Sequence, residues 1–356
     1  MMPKIAAAIG ACDRRTQGRF AVAASSVDRD AHRGDSGQRR RPSARVCHPR
    51  RPTRVVDNDR TSARIAMHCL LVRRFSEALL GFVVVASPIA AVAAHSTAAP
   101  AAVERDVAYG PDRAQRLDVY RPHRARNAPI VLMVHGGGWR IGDKAARGVA
   151  QAKAAHWNAQ GRIVVAINYR LLPQADPLQQ AADVARALAH VQREAPRWGG
   201  DPTRVVLMGH SAGAHLVALL AAAPELARAQ GARPWSGTVA LDSAAYDVEA
   251  LMRQPHLRLY DQAFGADPRY WREASPTRRL HSVPAPMLLV CSSRRRQSCP
   301  QARDYARRAV DLGGLAQVLP VQLDHAAINA ELGTEGHYTA RVDAFLASLW
   351  APVRRD

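Results

Sequence analysis

The sequence predicts an α/β fold, a mostly parallel central sheet with helices on both faces. Three observations carry it. Short continuous apolar runs, such as Ile130 to Val134, Arg162 to Asn168 and Val205 to Met208, read as strands buried on both sides. Segments of helical spacing alternate with them. The residues best suited to chemistry fall directly after the apolar runs, where such a sheet presents its carboxyl ends to a ligand.

The elements follow in order. Residues 95–113 are polar and Ala/Pro-rich and read as a leader onto the domain. Arg116 to Tyr120 alternates like a strand, which Pro122 ends. Ile130 to Val134 runs straight into His135-Gly136-Gly137-Gly138-Trp139. Lys144 to Ala159 suits a helix and Arg162 to Asn168 a strand. Leu178 to Glu194 has helical spacing through Ala182, Val184, Ala187, Leu188 and Val191. Asp201-Pro202 restarts the chain before the strand Val205 to Met208. Thr238 to Leu241 is a short strand ending at Asp242, and Met287 to Val290 is the next. Residues 248–284 between them are polar and broken, too long for a plain loop, and read as a small helical excursion. Ala302 to Asp311 is helical, Ala316 to Leu323 is the last strand, and Ala340 to Trp350 closes the domain as a helix.

The 356-residue chain carries a net charge of +20, which by itself would suggest nucleic acid. Its distribution argues otherwise. Residues 1–66 hold 15 Lys and Arg against 6 Asp, with no sustained apolar period. Such a segment cannot bury enough surface to offset its ordering entropy. Met67 is then followed by Arg73-Arg74, an apolar run from Ala78 to Val85, and the small residues Ala91 to Ala94. That order reads as a signal peptide over residues 67–94, too short to span a bilayer, and implies a periplasmic or secreted protein. Residues 1–66 are accordingly expected to be an upstream extension, a reading that any native peptide from before Met67 would refute. The mature domain is residues 95–356. Cys291 and Cys299 bracket a short loop in it, and an oxidising compartment allows them to pair. Closing such a loop stabilises by roughly 2–3 kcal/mol.

Val205 to Ala221 has a strand, a tight turn and a helix around Gly209-His210-Ser211-Ala212-Gly213. In that context G-x-S-x-G marks a nucleophile elbow, holding the Ser211 hydroxyl at a helix N-terminus beside the free N–H of Ala212. Three glycines after a buried strand expose backbone N–H groups with no side chains in the way, as an oxyanion loop requires. A serine hydroxyl needs a base to take its proton, and the base needs a carboxylate to fix its tautomer. His325 follows the last strand, where the base belongs. His210 lies within the elbow, His135 is suited to propping the glycine loop, and His256, His281 and His337 have no motif around them.

HGGGW at 135–139, INYRLLP at 167–173, DPTRVVLMGHSAG at 201–213 and the late His325 together resemble the HGGG-type carboxylesterases. These are α/β-hydrolases related to hormone-sensitive lipase and to the bacterial feruloyl- and acetyl-esterase-like group. The resemblance spans roughly residues 105–350. It implies a serine hydrolase with Ser211 as nucleophile, His325 as general base, and Gly137, Gly138 and Ala212 as oxyanion N–H donors. The acid departs from the pattern. The family usually places an Asp just beyond the strand at 287–290, but residues 291–299 contain three arginines and no carboxylate. Asp242, at the end of the preceding strand, takes the role, similar to pancreatic lipase; Asp247 is the reserve.

Trp139, Tyr169 and Tyr246 are expected to line a largely apolar pocket suited to small acyl or aryl esters. No metal-ligand spacing, nucleotide loop or aromatic-interleaved basic patch occurs, so a small-molecule ester is the expected partner, without cofactor, metal or nucleic acid. Two rival readings remain open: amide hydrolysis of the arylformamidase type, and a non-catalytic binding protein of the same fold that has lost its acid.

Overall fold

The computed structural model describes residues 102–146 and 148–351. The basic segment, the signal peptide and the leader up to residue 101 lie outside the described residues. Eight strands form one sheet in the order β1-β2-β4-β3-β5-β6-β7-β8. β2 (Arg116–Arg121) is antiparallel to both β1 (Ala102–Ala108) and β4 (Ile163–Ile167). From β4 onward, through β3 (Ala128–Val134), β5 (Gly200–His210), β6 (Gly237–Leu241), β7 (Met287–Ser292) and β8 (Ala316–Val321), all pairs are parallel.

The main helices are α1 (Gln151–Ala159), α2 (Pro177–Glu194), α3 (Ala212–Ala222), α9 (Ser298–Asp311) and α11 (His337–Trp350). A short helix α4 (Pro224–Arg228) follows α3. Alternation along β5 divides the core. Val205 and Leu207 pack with α2 and α3, whereas Val206 and Met208 face α1 and α11. Asp176 caps α2, its side chain accepting the Gln179 N–H while the Gln179 side chain accepts the Asp176 N–H.

The excursion expected at 248–284 is four short helices: α5 (Val248–Met252), α6 (Arg258–Phe264), α7 (Pro268–Glu273) and α8 (Pro276–Arg279). Their hub is the Glu249 carboxylate, which takes Arg253, Arg272 and Arg278.

Three expectations are corrected. Part of the supposed leader is the edge strand β1, whose side chains are mostly exposed, so no apolar run marked it. The helix expected from Lys144 begins only at Gln151, because Lys144 is instead tied to Asp118 and Asp106 at 2.9 and 2.8 Å and Gly148 turns the chain at φ +89°. An unforeseen helix, α10 (His325–Ala330), follows β8, capped by Asp324, which accepts the Ala327 N–H at 2.8 Å. The Cys291–Cys299 disulfide is present and joins the end of β7 to the first turn of α9. Among the described residues no helix is long and apolar enough to cross a membrane.

Candidate active site

The elbow is packed too closely for side chains at its glycines. A Cβ on Gly209 would stand 2.3 Å from the Gly213 carbonyl oxygen, and one on Gly213 2.4 Å from that of Val134. This closeness lets the chain turn from β5 into α3 in one residue. Ser211 bears the cost, at φ 56° and ψ −116°, a region that a residue with a Cβ rarely adopts. Ala212 opens α3, so its N–H has no acceptor within the helix.

The glycine loop after β3 lies against the same serine. An ideal Cβ on Gly136 would be 2.8 Å from the Ser211 Cβ and 2.9 Å from the His210 carbonyl oxygen. Gly137 and Gly138 both have positive φ, and the Gly137 carbonyl accepts the N–H groups of Arg140 and Ile141. Gly136→Ala is therefore expected to push the loop away from Ser211. A displacement of about 1 Å is expected to lower kcat/KM by about 10²-fold, as a 4-nitrophenyl ester assay would read. Unchanged kinetics in a folded variant would show that the loop does not act on the serine.

His325 opens α10 and bridges two residues from different strands. Its Nε2 is 2.8 Å from the Ser211 Oγ, and its Nδ1 is 2.6 Å from Oδ2 of Asp242. An ionised carboxylate only accepts, so Nδ1 carries the proton and Nε2 is left to accept from the serine hydroxyl. The imidazole is 38% exposed, while the Asp242 side chain is fully buried. Asp242 ends β6 in a left-handed backbone conformation, φ 58°. Its Oδ1 accepts the Ser292 N–H at 2.7 Å and the Ser298 hydroxyl, and Arg295 Nη1 donates to Oδ2 at 2.7 Å. Burial pushes the Asp242 carboxyl up, but the hydrogen bonds from His325, Ser298 and Ser292, with the Arg295 charge, hold it well below the usual carboxylate range.

The other histidines have separate duties. His210 Nε2 donates to the His325 carbonyl at 2.8 Å, and burial pulls its pKa down to about 4. A neutral His210 thus steadies the start of α10. His135 stacks on Tyr169 at 4.4 Å, behind the glycine loop. His215, which the sequence reading did not single out, is enclosed between Trp139 and the Ala274 carbonyl, and burial lowers it to about 4 as well. His256 pairs with Asp261.

The three expected pocket aromatics are corrected. Trp139 is 3% exposed, its indole N–H directed to His215 and its ring edge-on to Phe264. Tyr169 is 1% exposed and donates to the His135 carbonyl at 2.9 Å. Tyr246 is fully buried against Tyr305. Trp139 is covered by Tyr260 and Phe264 of α6, Tyr169 packs on His135, and Tyr246 belongs to the core cluster around Tyr305 of α9. Asp247, the reserve acid, caps α5 by accepting the Ala250 N–H and pairs with Arg278. It is not among the partners of His325.

The residues unseen in the sequence are Ser292, Ser298 and Arg295. All lie in the 291–299 window where an acid was expected and none stands. Among the described residues no group of His, Cys, Asp and Glu is arranged to hold a metal.

The BD-FAE family profile matches residues 117–294, half of the chain, which include Ser211 and Asp242 and stop short of His325. Among curated proteins, esterase LipC of Mycobacterium tuberculosis is 30% identical over 223 residues, covering 57% of this chain and 54% of its own length. The probable carboxylic ester hydrolase LipM of the same organism is 31% identical over 274 residues, covering 69% of this chain and 61% of its own. The chain thus spans less than two thirds of these relatives. Esterase B of Lactobacillus rhamnosis superposes with a TM-score of 0.58 at 22% identity, over 71% of this chain and 86% of that one, a likeness of fold.

Proposed function

The chain belongs to the BD-FAE family, and on that premise we propose that it is a serine carboxylesterase, cleaving small acyl or aryl esters through an acyl-enzyme. One observation carries the reading: the hydrogen-bonded relay from Ser211 Oγ to His325 to the fully buried carboxylate of Asp242. His325 takes the Ser211 proton as Oγ attacks the ester carbonyl, and the imidazolium is stabilised by Asp242. The oxyanion meets the N–H of Ala212 and those of Gly137 and Gly138. The ester C–O bond breaks as His325 Nε2 hands its proton to the departing alcohol. Water, deprotonated by the same nitrogen, then releases the acid and restores Ser211. The names of LipC and LipM, an esterase and a probable carboxylic ester hydrolase, support the ester as substrate. The Cys291–Cys299 disulfide supports the accompanying proposal that the protein works in the periplasm or outside the cell.

Labelling by a fluorophosphonate probe tests the nucleophile. Stoichiometric labelling is expected in the wild type and none in Ser211→Ala. A folded wild type that takes up no probe would mean that the serine is not activated, and the binding-protein reading would replace this one.

A further inference from the structure

Asp242 and Arg295 balance in charge beside a neutral His325, and the proposed reaction places a second cation beside them while the matching negative charge forms on the oxyanion at the glycine loop. Arg295 lies in the loop between β7 and α9. Its Nη1 donates both to Oδ2 of Asp242 and to the Asp242 carbonyl oxygen, at 2.7 and 3.1 Å. The same nitrogen is 3.0 Å from His325 Nδ1. Both nitrogens carry protons directed at one carboxylate, so neither bonds to the other. When His325 takes the serine proton, two cations stand in contact and share the single charge of Asp242. The Tyr260 phenol of α6 also stands beside the guanidinium. Burial pushes its pKa up, which keeps it neutral. Among the described residues no second carboxylate pairs with Arg295. Its neighbours Arg294 and Arg296 are both exposed and add positive charge to the same loop. Of the carboxylates nearest in sequence to Tyr260 and His325, Asp261 pairs with His256 and the exposed Asp324 caps α10.

We propose that Arg295 is the inner wall of an anion subsite, and that the preferred substrates are esters bearing a carboxylate on the leaving-alcohol side. The inference rests on the esterase reading above. The side is set by geometry. His325 protonates the leaving oxygen through Nε2, so the leaving group is the part of the substrate beside the imidazole, and Arg295 touches that ring at its other nitrogen. The guanidinium is 30% exposed, so part of it is open to a ligand while Nη1 is anchored on Asp242. A planar cation held at a known angle is suited to a carboxylate, which it can meet with two parallel N–H groups. The substrate carboxylate would then lie near the second cation formed when His325 is protonated, an attraction that grows as the imidazolium forms and so helps the transition state beyond the bound ground state.

The test compares 4-acetoxybenzoate with its neutral counterpart 4-acetoxybenzamide, following acetate release, and uses 4-nitrophenyl acetate as a neutral reference. The wild type is expected to favour the benzoate in kcat/KM by about tenfold or more, the scale of a hydrogen bond to a charged group. Arg295→Gln should bring that ratio near one, and Arg295→Lys should restore part of it. Because Arg295 also holds Asp242, the Gln variant is expected to slow all three esters, so the ratio is the readout. A wild type without preference, or an Arg295→Gln variant that keeps it, would overturn the proposal and leave Arg295 as a support for Asp242 alone. Failure of a folded wild type to cleave 4-nitrophenyl acetate would instead remove the esterase reading, and this proposal with it.

Discussion

His325→Ala is expected to lower kcat on a 4-nitrophenyl ester by about 10⁶, with little change in the unfolding midpoint. The size follows from what is left. Ser211 keeps its place in the elbow, since that is fixed by backbone packing around Gly209 and Gly213. Its hydroxyl then has no acceptor to take the proton, and an alcohol is a poor nucleophile at neutral pH. The nearest substitute is His210, whose ring centroid is 4.6 Å from that of His325. It cannot take over. Its Nε2 is committed to the His325 carbonyl, and burial holds its pKa near 4. The stability cost should be small because the lost imidazole is 38% exposed and leaves no sealed cavity. Steady-state kinetics beside a urea titration would check both halves. A variant retaining more than about one hundredth of the activity would mean that another base serves Ser211, against the scale expected for a relay that acts as a unit.

The sheet was legible in the sequence because buried parallel strands are continuous apolar runs, and the strands from β3 to β8 were found at the expected places. β1 was not, since an edge strand held by backbone pairing needs no apolar pattern. Ser211 and His325 were legible for different reasons. The serine sits in a spacing that only a tight turn explains, and the histidine stands in the right order after the last strand. The carboxylate facing His325 was harder to place because its site is made from three stretches of chain. The 291–299 window looked like a lost acid position. In the fold it is the cradle for Asp242: Ser292 from β7, Ser298 from α9 and Arg295 between them all donate to its carboxylate. The disulfide closes that loop at the residues flanking the two serines. No spacing rule links a donor at 298 to an acceptor at 242. The pocket aromatics failed for a simpler reason. Large rings near a site are as useful for propping loops as for touching substrate, and sequence position alone does not separate the two.

Asp242→Asn should lower kcat by about 10⁴ while the protein stays folded. Every group that faces the Asp242 carboxylate is a donor: His325 Nδ1 and Arg295 Nη1 on Oδ2, the Ser292 N–H and the Ser298 hydroxyl on Oδ1. A side-chain amide has one accepting oxygen. The Ser292 N–H is fixed in the backbone at the end of β7, so the oxygen stays on that side and the NH₂ turns toward His325. The imidazole must then accept at Nδ1 and carry its proton on Nε2, the tautomer that cannot receive the Ser211 proton. The same substitution leaves Arg295 facing another donor. Linkage supplies a second, independent signature. The Asp242 carboxyl is held below its ordinary value of 3.8, so its ionised form stabilises the fold. That contribution is complete above the ordinary value and is lost as pH falls from there toward the lowered folded-state value. The gap in unfolding free energy between wild type and Asp242→Asn should therefore hold steady from neutral pH to about pH 4 and narrow below it. Urea unfolding across that range would show it. A gap that widened on acidification would contradict an ionised Asp242, and a kcat within tenfold of wild type would take the acid role away from it.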